Sequence, residues 1–380
     1  MIPELTAEDL AVRDTVRRFA QSELAPRAAA FDDSAAFVGV HLPGLAALGI
    51  LGLNLPEVWG GAGISALGLV GAVEEIAAAC AATASMVTAH FLASDAILIA
   101  GNETQKSRYL PAAGAGKSLG AFALSEPAAG SNPAGMKTTA TPTPTGFHLG
   151  GVKHFISNAG HADFIVVFAR SGLAGSRPVI DSFVLDKATP GLRFSQPEPV
   201  MGMRGSHVFE VAIDCDVPTD QRLGEPGSGF RTAMQVLDRG RIEVAALALG
   251  ISQAAMILTL GWIKERQVDG QPLADRQGVQ WMVADMATEI ESARLLTYRA
   301  AALRQAGQPF TRAAAMAKLV ASETAGRIVD RALQLHGGYG YSRRLPLERL
   351  ARDARVLRIY EGASEVQRNI IGRHVLRDGQ

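Results

Sequence analysis

The sequence predicts three parts in the order α, β, α. They are an all-helical domain over residues 1–118, a small antiparallel β domain over 119–225, and a four-helix-bundle domain over 226–380. Three observations support this. A chain of 380 residues exceeds one ordinary domain of roughly 100–200 residues. Short β-branched and aromatic runs, Phe164–Phe168, Phe183–Leu185 and Val208–Ile213, mark the middle part and are separated by Gly, Pro, Asn and Ser. On either side of them, apolar residues recur at steps of three and four, the spacing of a helix face.

In the first part, Thr6 with Asp9 reads as a capping box. Leu10, Val16, Phe19 and Leu24 follow on the helix, and Pro26 is expected to end it. Alanine-rich sequence from Val73 to Ala100 continues the helical pattern. In the last part, Val244–Ile263 carries no charge and is about long enough to span a bilayer. Its alanines, Gly250, Ser252, Gln253, Thr259 and Gly261 make it weakly apolar, and we expect a buried bundle helix. Val279, Met282, Met286, Ile290, Ala293, Leu296, Ala300 and Leu303 form a second stripe. A third helix over Thr311–His336 is stopped by Gly337-Gly338.

Composition narrows the function classes. Hydrophobic residues make up 48%, and 37 basic residues balance 37 acidic ones. A balanced chain has no electrostatic reason to track a nucleic acid or an anionic membrane. Cys80 and Cys215 cannot build a disulfide framework, and they suit a reducing compartment. The polar, acidic start MIPELTAEDL lacks the form of a secretion signal, so a soluble, cytoplasmic protein is expected. Gly114–Ser118 has Pro111 where a P-loop needs its first glycine, and it is expected to be a loop. The glycine clusters at 60–63 and 337–340 lack a dinucleotide-binding setting. Serine-elbow and metalloprotease motifs are absent, and the histidines lack metal-ligand spacing.

Several blocks do carry a signal, and they occur in a fixed order. They are Phe122-Ala-Leu-Ser-Glu-Pro-Ala-Ala-Gly-Ser131, Lys153-His-Phe-Ile-Ser-Asn158, Met201-Gly-Met-Arg-Gly-Ser206, Gln334-Leu-His-Gly-Gly338 and Ile359-Tyr-Glu-Gly-Ala-Ser-Glu-Val-Gln-Arg368. Together they resemble the signature blocks of the acyl-CoA dehydrogenases, whose α–β–α architecture matches the division above. The resemblance covers the whole chain. It implies bound FAD, an acyl-CoA substrate, an electron-transfer flavoprotein as electron acceptor, and a homotetramer.

The resemblance assigns roles residue by residue. Phe155 lies against the isoalloxazine, Ser157 bonds its N5/O4 edge, and Phe122, Leu124 and Ser125 meet its pyrimidine side, with Gly130 and Ser131 allowing close approach. Arg266, Gln277, Gln334, Gly337 and Gly338 serve the FAD pyrophosphate and adenosine across a subunit boundary. Ala363 and Glu365 fall in the C-terminal FAD block, while Ser131, Asp238, Arg241 and Gly362 fall at the substrate thioester. His90 and Asp95 fall where the acyl tail reaches. The chain departs from the family pattern at Asn132, at Val268-Asp269-Gly270 and at Ala363, where an aspartate, an aromatic residue with glycine, and a threonine are usual.

Taken singly, these residues have plainer readings. Phe155 could be a core aromatic, Glu361 a solvated loop glutamate, Arg266 a solvated helix end, and Asp238 with Arg241 a helix-start ion pair. His90 and Asp95 read as exposed polar positions, and Arg352–Arg355 as a structural ion network. Ser364 with Gln367 reads as a capping box that places Glu361 on the loop into the last helix. The resemblance makes Glu361 the base that removes the substrate α-proton. The family's other base position matches Gly240, which has no side chain. Rival expectations on this scaffold are an acyl-CoA oxidase, a carrier-protein thioester as substrate and, more remotely, a catalytically silent binding protein.

Overall fold

The computed structural model describes residues 5–175 and 177–378. Helix α1 (Ala7–Phe19) starts at the expected capping box: the Thr6 hydroxyl accepts from the Asp9 amide at 3.1 Å, and the Asp9 carboxylate accepts from the Thr6 amide at 3.0 Å. Pro26 does not end the helical path. The chain widens into a π-turn (Ala20–Leu24), tightens into a 3-10 turn (Ala25–Arg27) and continues as α2 (Ala28–Ser34). Pro26 sits at the start of the 3-10 turn, where an N–H is not needed. Then come α3 (Leu42–Ala47), α4 (Ala66–Ala79), the almost wholly buried α5 (Ala81–Ala100) and α6 (Glu103–Gly114). Gly114–Ser118 is the helix end and a turn.

The middle part is one sheet made of β1 (Gly120–Ala123), β2 (Thr139–Thr143), β3 (Gly146–Ser157), β4 (Phe164–Ala174), β5 (Arg177–Asp186), β6 (Leu192–Phe194), β7 (Val208–Pro218) and β8 (Arg222–Leu223). Its order is β6-β7-β3-β2-β4-β5-β8, with β1 beside β4. The sheet is mixed, which corrects the antiparallel expectation. β1 runs parallel to β4, and β2 meets β4 in parallel at Thr139 and Arg170. A parallel pair needs a long connection rather than a hairpin, and the chain supplies one between Ala123 and Phe164. Runs of β-branched residues show strand propensity but not strand direction, so the sequence pattern could not reveal this.

The last part comprises α7 (Gly229–Glu265), a small hairpin of β9 (Gln267–Val268) and β10 (Gln271–Pro272), α8 (Gln277–Gln305), α9 (Thr311–His336), α10 (Leu347–Val356) and α11 (Ser364–Asp378). Gly337 ends α9 at φ 58°. Two helices, α5 and α7, are long and apolar enough to cross a membrane. The most apolar windows of both are largely buried against the rest of the chain, 89% and 67% respectively.

Arg352 joins three segments. Its guanidinium donates to Asp32 of α2 at 2.8 Å, to Glu348 at 2.8 Å and to the Met201 carbonyl at 3.1 Å. Next to it, the buried Asp353 accepts the Met203 amide. Burial pushes the Asp32 carboxyl up, but the hydrogen bonds and charge of Arg352 outweigh it and hold the folded value below the usual one. Asp32 therefore adds stability above the unfolded carboxyl pKa of about 4, and loses it as pH falls through the lower folded value. Arg352→Met should cost on the order of 1–3 kcal/mol at neutral pH. In thermal melts, the gap to wild type should narrow below about pH 4.

Candidate active site

A cleft of about 560 Å³ opens between α5, the end of β1, the end of β3, α7 and α11. Ligand sites typically fall in the range of about 300–1,000 Å³. One wall is Phe122, Leu124, Ser125, Gly130, Ser131, Phe155 and Ser157. Phe155 occupies a register irregularity of β3 between Lys153 and Ile156, at φ 57°. A bulge re-aims a side chain that would otherwise alternate into the core. Its ring is 61% exposed, with one face stacked on His154 at 4.1 Å. The sequence alone favoured a core aromatic; the structure puts the ring in the cleft.

The loop after β1 is clamped from below by a buried ion pair. Lys153, fully buried, donates to the Leu124 carbonyl at 3.1 Å and to Glu126 at 2.9 Å. Glu126 in turn accepts the amides of Lys137 at 2.6 Å and Thr138 at 3.0 Å. Burial draws the lysine down to about 8. For Glu126, burial is outweighed by these amides and by Lys153, so its carboxyl lies below the usual value. The His154 amide adds a bond to the Ser125 carbonyl at 2.9 Å. Gly130 has open space around it, so a ligand can approach its backbone.

Opposite this wall stands Glu361, in a left-handed turn with φ 51° at Glu361 and 93° at Gly362. An ammonium group and a side-chain amide hold the turn. The buried Lys318 donates to the Gly362 carbonyl at 2.7 Å, and the Gln367 side chain donates to the same oxygen at 2.8 Å and to the Glu361 carbonyl at 3.3 Å. The expected Ser364–Gln367 capping box therefore does not form. Ser364 is the first residue of α11 and donates to Glu323 at 2.7 Å instead, because Gln367 is committed to the turn. Glu361 Oε2 is buried and has no hydrogen-bond partner among the described residues. Burial raises this carboxyl to about 7, against the opposing charges of Lys318 and Arg241. A Cβ at Gly240 would collide with Oε2, so the missing side chain is what lets the carboxylate fit.

Other expected residues fall in different places. Arg241 and Gly362 line the cleft, but Asp238 lies behind, paired with Arg241 and accepting from Thr311. This pair is buried inside α7, well past its first turn, and is not a helix-start pair. Ala363 is half-buried and Glu365 exposed at the start of α11; neither lines the cleft. His90 and Asp95 are buried, which corrects the expectation of exposed positions. His90 accepts the Gly120 amide at 2.9 Å, and Asp95 pairs with Arg239 at 2.8 Å, so α5 packs them inward. The sequence reading missed Lys318, and it missed Phe230, Met234 and Leu237, which line the cleft with Arg241. A lone lysine inside the alanine-rich run of α9, and the 4-3-4 spacing on α7, were the signals available.

Arg266, Gln334, Gly337 and Gly338 gather elsewhere, in a second cleft of about 750 Å³ with Trp262, His336 and Tyr339. The Arg266 guanidinium lies 6.0 Å from the Trp262 ring and 5.9 Å from that of Tyr339. Gln277, exposed at the start of α8, lines neither cleft. Arg241 lies within α7 and Arg266 caps its C-terminal end, so at 1.5 Å per residue they are roughly 37 Å apart along the helix path. Lys153→Met should strand Glu126 without its cation, destabilise the fold by about 3–5 kcal/mol and loosen the Leu124–Ser131 loop. A denaturant titration checks the first effect and limited proteolysis the second.

Models of the N-terminal, middle and C-terminal domains of acyl-CoA dehydrogenases match residues 6–117, 121–215 and 227–376. Similar proteins include the acryloyl-CoA reductase (NADH) of Anaerotignum propionicum, 42% identical over 380 residues that span 98% of this chain and 95% of that one. Another is the human mitochondrial short-chain specific acyl-CoA dehydrogenase, 42% identical over 365 residues, 96% and 89% of the two chains. Among solved structures, butyryl-CoA dehydrogenase from Megasphaera elsdenii has a TM-score of 0.97 at 39% identity and covers 99% of this chain and 100% of that chain. With all three domains matched in order and relatives 42% identical over nearly the whole chain, the chain belongs to the acyl-CoA dehydrogenase family of oxidoreductases.

Proposed function

We propose that this enzyme removes the α- and β-hydrogens of short acyl-CoA thioesters with FAD as cofactor and passes the electrons to an electron-transfer flavoprotein. The observation that carries the reading is Glu361: a buried, unpartnered carboxylate oxygen facing the Phe155 wall. The residues present fit a flavin, because Phe155 offers a flat exposed ring and the Gly130 backbone leaves room for close approach. Bound FAD supplies the hydride acceptor. Phe122, Leu124 and Ser125 would hold the ring's polar edge, with Ser157 beside it.

Glu361 removes the α-proton. A carboxylate raised to about 7 by burial is matched to accepting a proton near neutral pH. Lys318 and Gln367 fix its direction through the turn, and Arg241, anchored by Asp238, sits at the same end of the cleft. Short acyl groups fit because a cleft of about 560 Å³ must take both a ring system and a thioester. Two relatives carry names for short substrates. The likeness to a reductase favours one second reading, the same chemistry run backwards with Glu361 returning the proton.

The second cleft cannot reach a flavin in the first cleft of the same chain along α7, so Arg266, Gln334, Gly337 and Gly338 are proposed to serve a neighbouring subunit's FAD, in a homotetramer. Arg266→Ala should then lower flavin retention on gel filtration; a monomer with full flavin would refute the sharing.

Purified protein should be yellow and, under anaerobic conditions, bleach with butyryl-CoA; rapid oxygen uptake on turnover would identify an oxidase instead. Reduction should speed up as pH rises through about 7, because Glu361 must be deprotonated to act. Glu361→Gln should retain FAD and lose on the order of 10²–10⁴ in reduction rate. Near-normal bleaching in that variant would remove Glu361 from the role. Glu361→Gly combined with Gly240→Glu should recover part of the rate, since both positions reach the same space.

A further inference from the structure

α7 carries a second buried carboxyl that the reaction proposed above does not use. Glu243 follows Gly240 by three residues, and side chains at that spacing share a helix face with their Cβ atoms about 5–6 Å apart. The space beside Gly240 is taken by Glu361 Oε2. Glu243 therefore stands one turn along α7 from the carboxyl of Glu361, a gap that a glutamate side chain can span.

Glu243 is 0% exposed, and neither of its carboxyl oxygens has a hydrogen-bond partner among the described residues. Arg304 at the end of α8 stands 3.8 Å from Oε1, too long for a hydrogen bond. Asp95 of α5 and Arg239 of α7, themselves paired at 2.8 Å, complete the charged surroundings. Burial pushes the Glu243 carboxyl well up, and the charges of Asp95 and Glu361 add to this against Arg304 and Arg239. It is a neutral acid at neutral pH. A buried carboxyl without partners is unfavourable, and nothing in the packing of α7 requires one here. The side chains of Arg304 and Arg239 are 14% and 24% exposed, so the line that starts at the unpartnered Oε2 of Glu361 and passes Glu243 ends at solvent.

We propose that Glu243 is the relay through which Glu361 gives its proton to solvent while the cleft is occupied. The proposal rests on Glu361 being the base, as proposed above, and extends that site by one residue that acts through it. After the α-carbon–hydrogen bond breaks, Glu361 is a neutral acid enclosed by the ring and the thioester. Its proton passes to one oxygen of Glu243, the proton on the other oxygen leaves beside Arg304, and Glu243 is neutral before and after. One proton moves from the α-carbon to solvent, and Glu361 is again a base.

The test follows deuterium entering acetyl-CoA from heavy water, read by the mass of the recovered thioester. Acetyl-CoA has α-hydrogens but no β-carbon, so it can lend Glu361 a proton without giving hydride to FAD. The carbanion must be reprotonated before the thioester leaves, so each deuterium gained records an exchange made with the cleft occupied. The wild type should gain deuterium and Glu361→Gln should not. Glu243→Gln matches the neutral acid in size but cannot take a proton on one atom and release it from another. It should gain deuterium about a hundredfold more slowly, the low end of what loss of a proton-transfer group costs. Single-turnover bleaching by butyryl-CoA is measured on the same protein. Exchange should fall at least about tenfold further than bleaching, whereas a merely structural role would lower both alike. If the glutamine variant does not fold, Glu243→Leu is read in the same way. Exchange that falls no further than bleaching would overturn the proposal and leave the dehydrogenase reading standing. So would a wild type that bleaches with butyryl-CoA but takes up no deuterium. Uptake retained in Glu361→Gln, or a wild type that neither exchanges nor bleaches, would remove the base itself and the relay with it.

Discussion

A glutamate at φ 51° would not hold that conformation in a free peptide, since the left-handed region costs a residue with a Cβ about 1–2 kcal/mol. Here the Lys318 ammonium and the Gln367 amide converge on the two carbonyls of the turn and offset that strain. Lys318 is itself costly, a lysine with no exposed surface and a pKa drawn down to about 8 by burial. Its proton is kept by the Gly362 carbonyl and by the charge of Glu361. Glu361 and the cation that holds its turn thus stabilise each other, and three helices of the C-terminal bundle meet around that exchange. α9 supplies the lysine, α11 the amide, and α7 the space at Gly240.

The opposite wall follows similar logic in a sheet. Lys153 and Glu126 are buried as a pair, and the bulge just after Lys153 turns Phe155 outward. A buried charge with excellent partners fixes the loop after β1, and an irregular strand delivers the ring. Both walls of the cleft depend on a fully buried lysine bonded to a backbone carbonyl, one in the sheet and one in the bundle.

Patterns that depend only on neighbouring residues were legible in the sequence. The Thr6–Asp9 capping box, the α9 stop at Gly337, the buried apolar helix and the α–β–α order were all readable, because caps, stripes and propensities are local. Three-dimensional choices were not. Whether β1 runs parallel to β4 depends on a connection crossing the sheet, and the Ser364–Gln367 capping box gives way to a turn that Gln367 holds jointly with Lys318, far away in sequence. His90 and Asp95 looked exposed because polarity was the only cue, whereas a Gly120 amide and Arg239 make burial tolerable. For the cleft, motif resemblance pointed to most of the residues of one wall and to Glu361, which the structure brings together. Phe230, Met234, Leu237 and Lys318 lie outside those motifs and became visible only through packing.

The fit between Gly240 and Glu361 also constrains how such a site could change. The swap proposed above, glutamate at position 240 with glycine at 361, would put one side chain into the same space. Each single step between the two layouts is poor. Introducing the new carboxylate first forces two side chains into one volume, and removing the old one first leaves the cleft without the carboxylate proposed as its base. A lineage moving from one arrangement to the other must cross a low-fitness intermediate or change both positions together. The two layouts are thus separate peaks on the sequence landscape, kept apart by the shape of one empty spot on a helix.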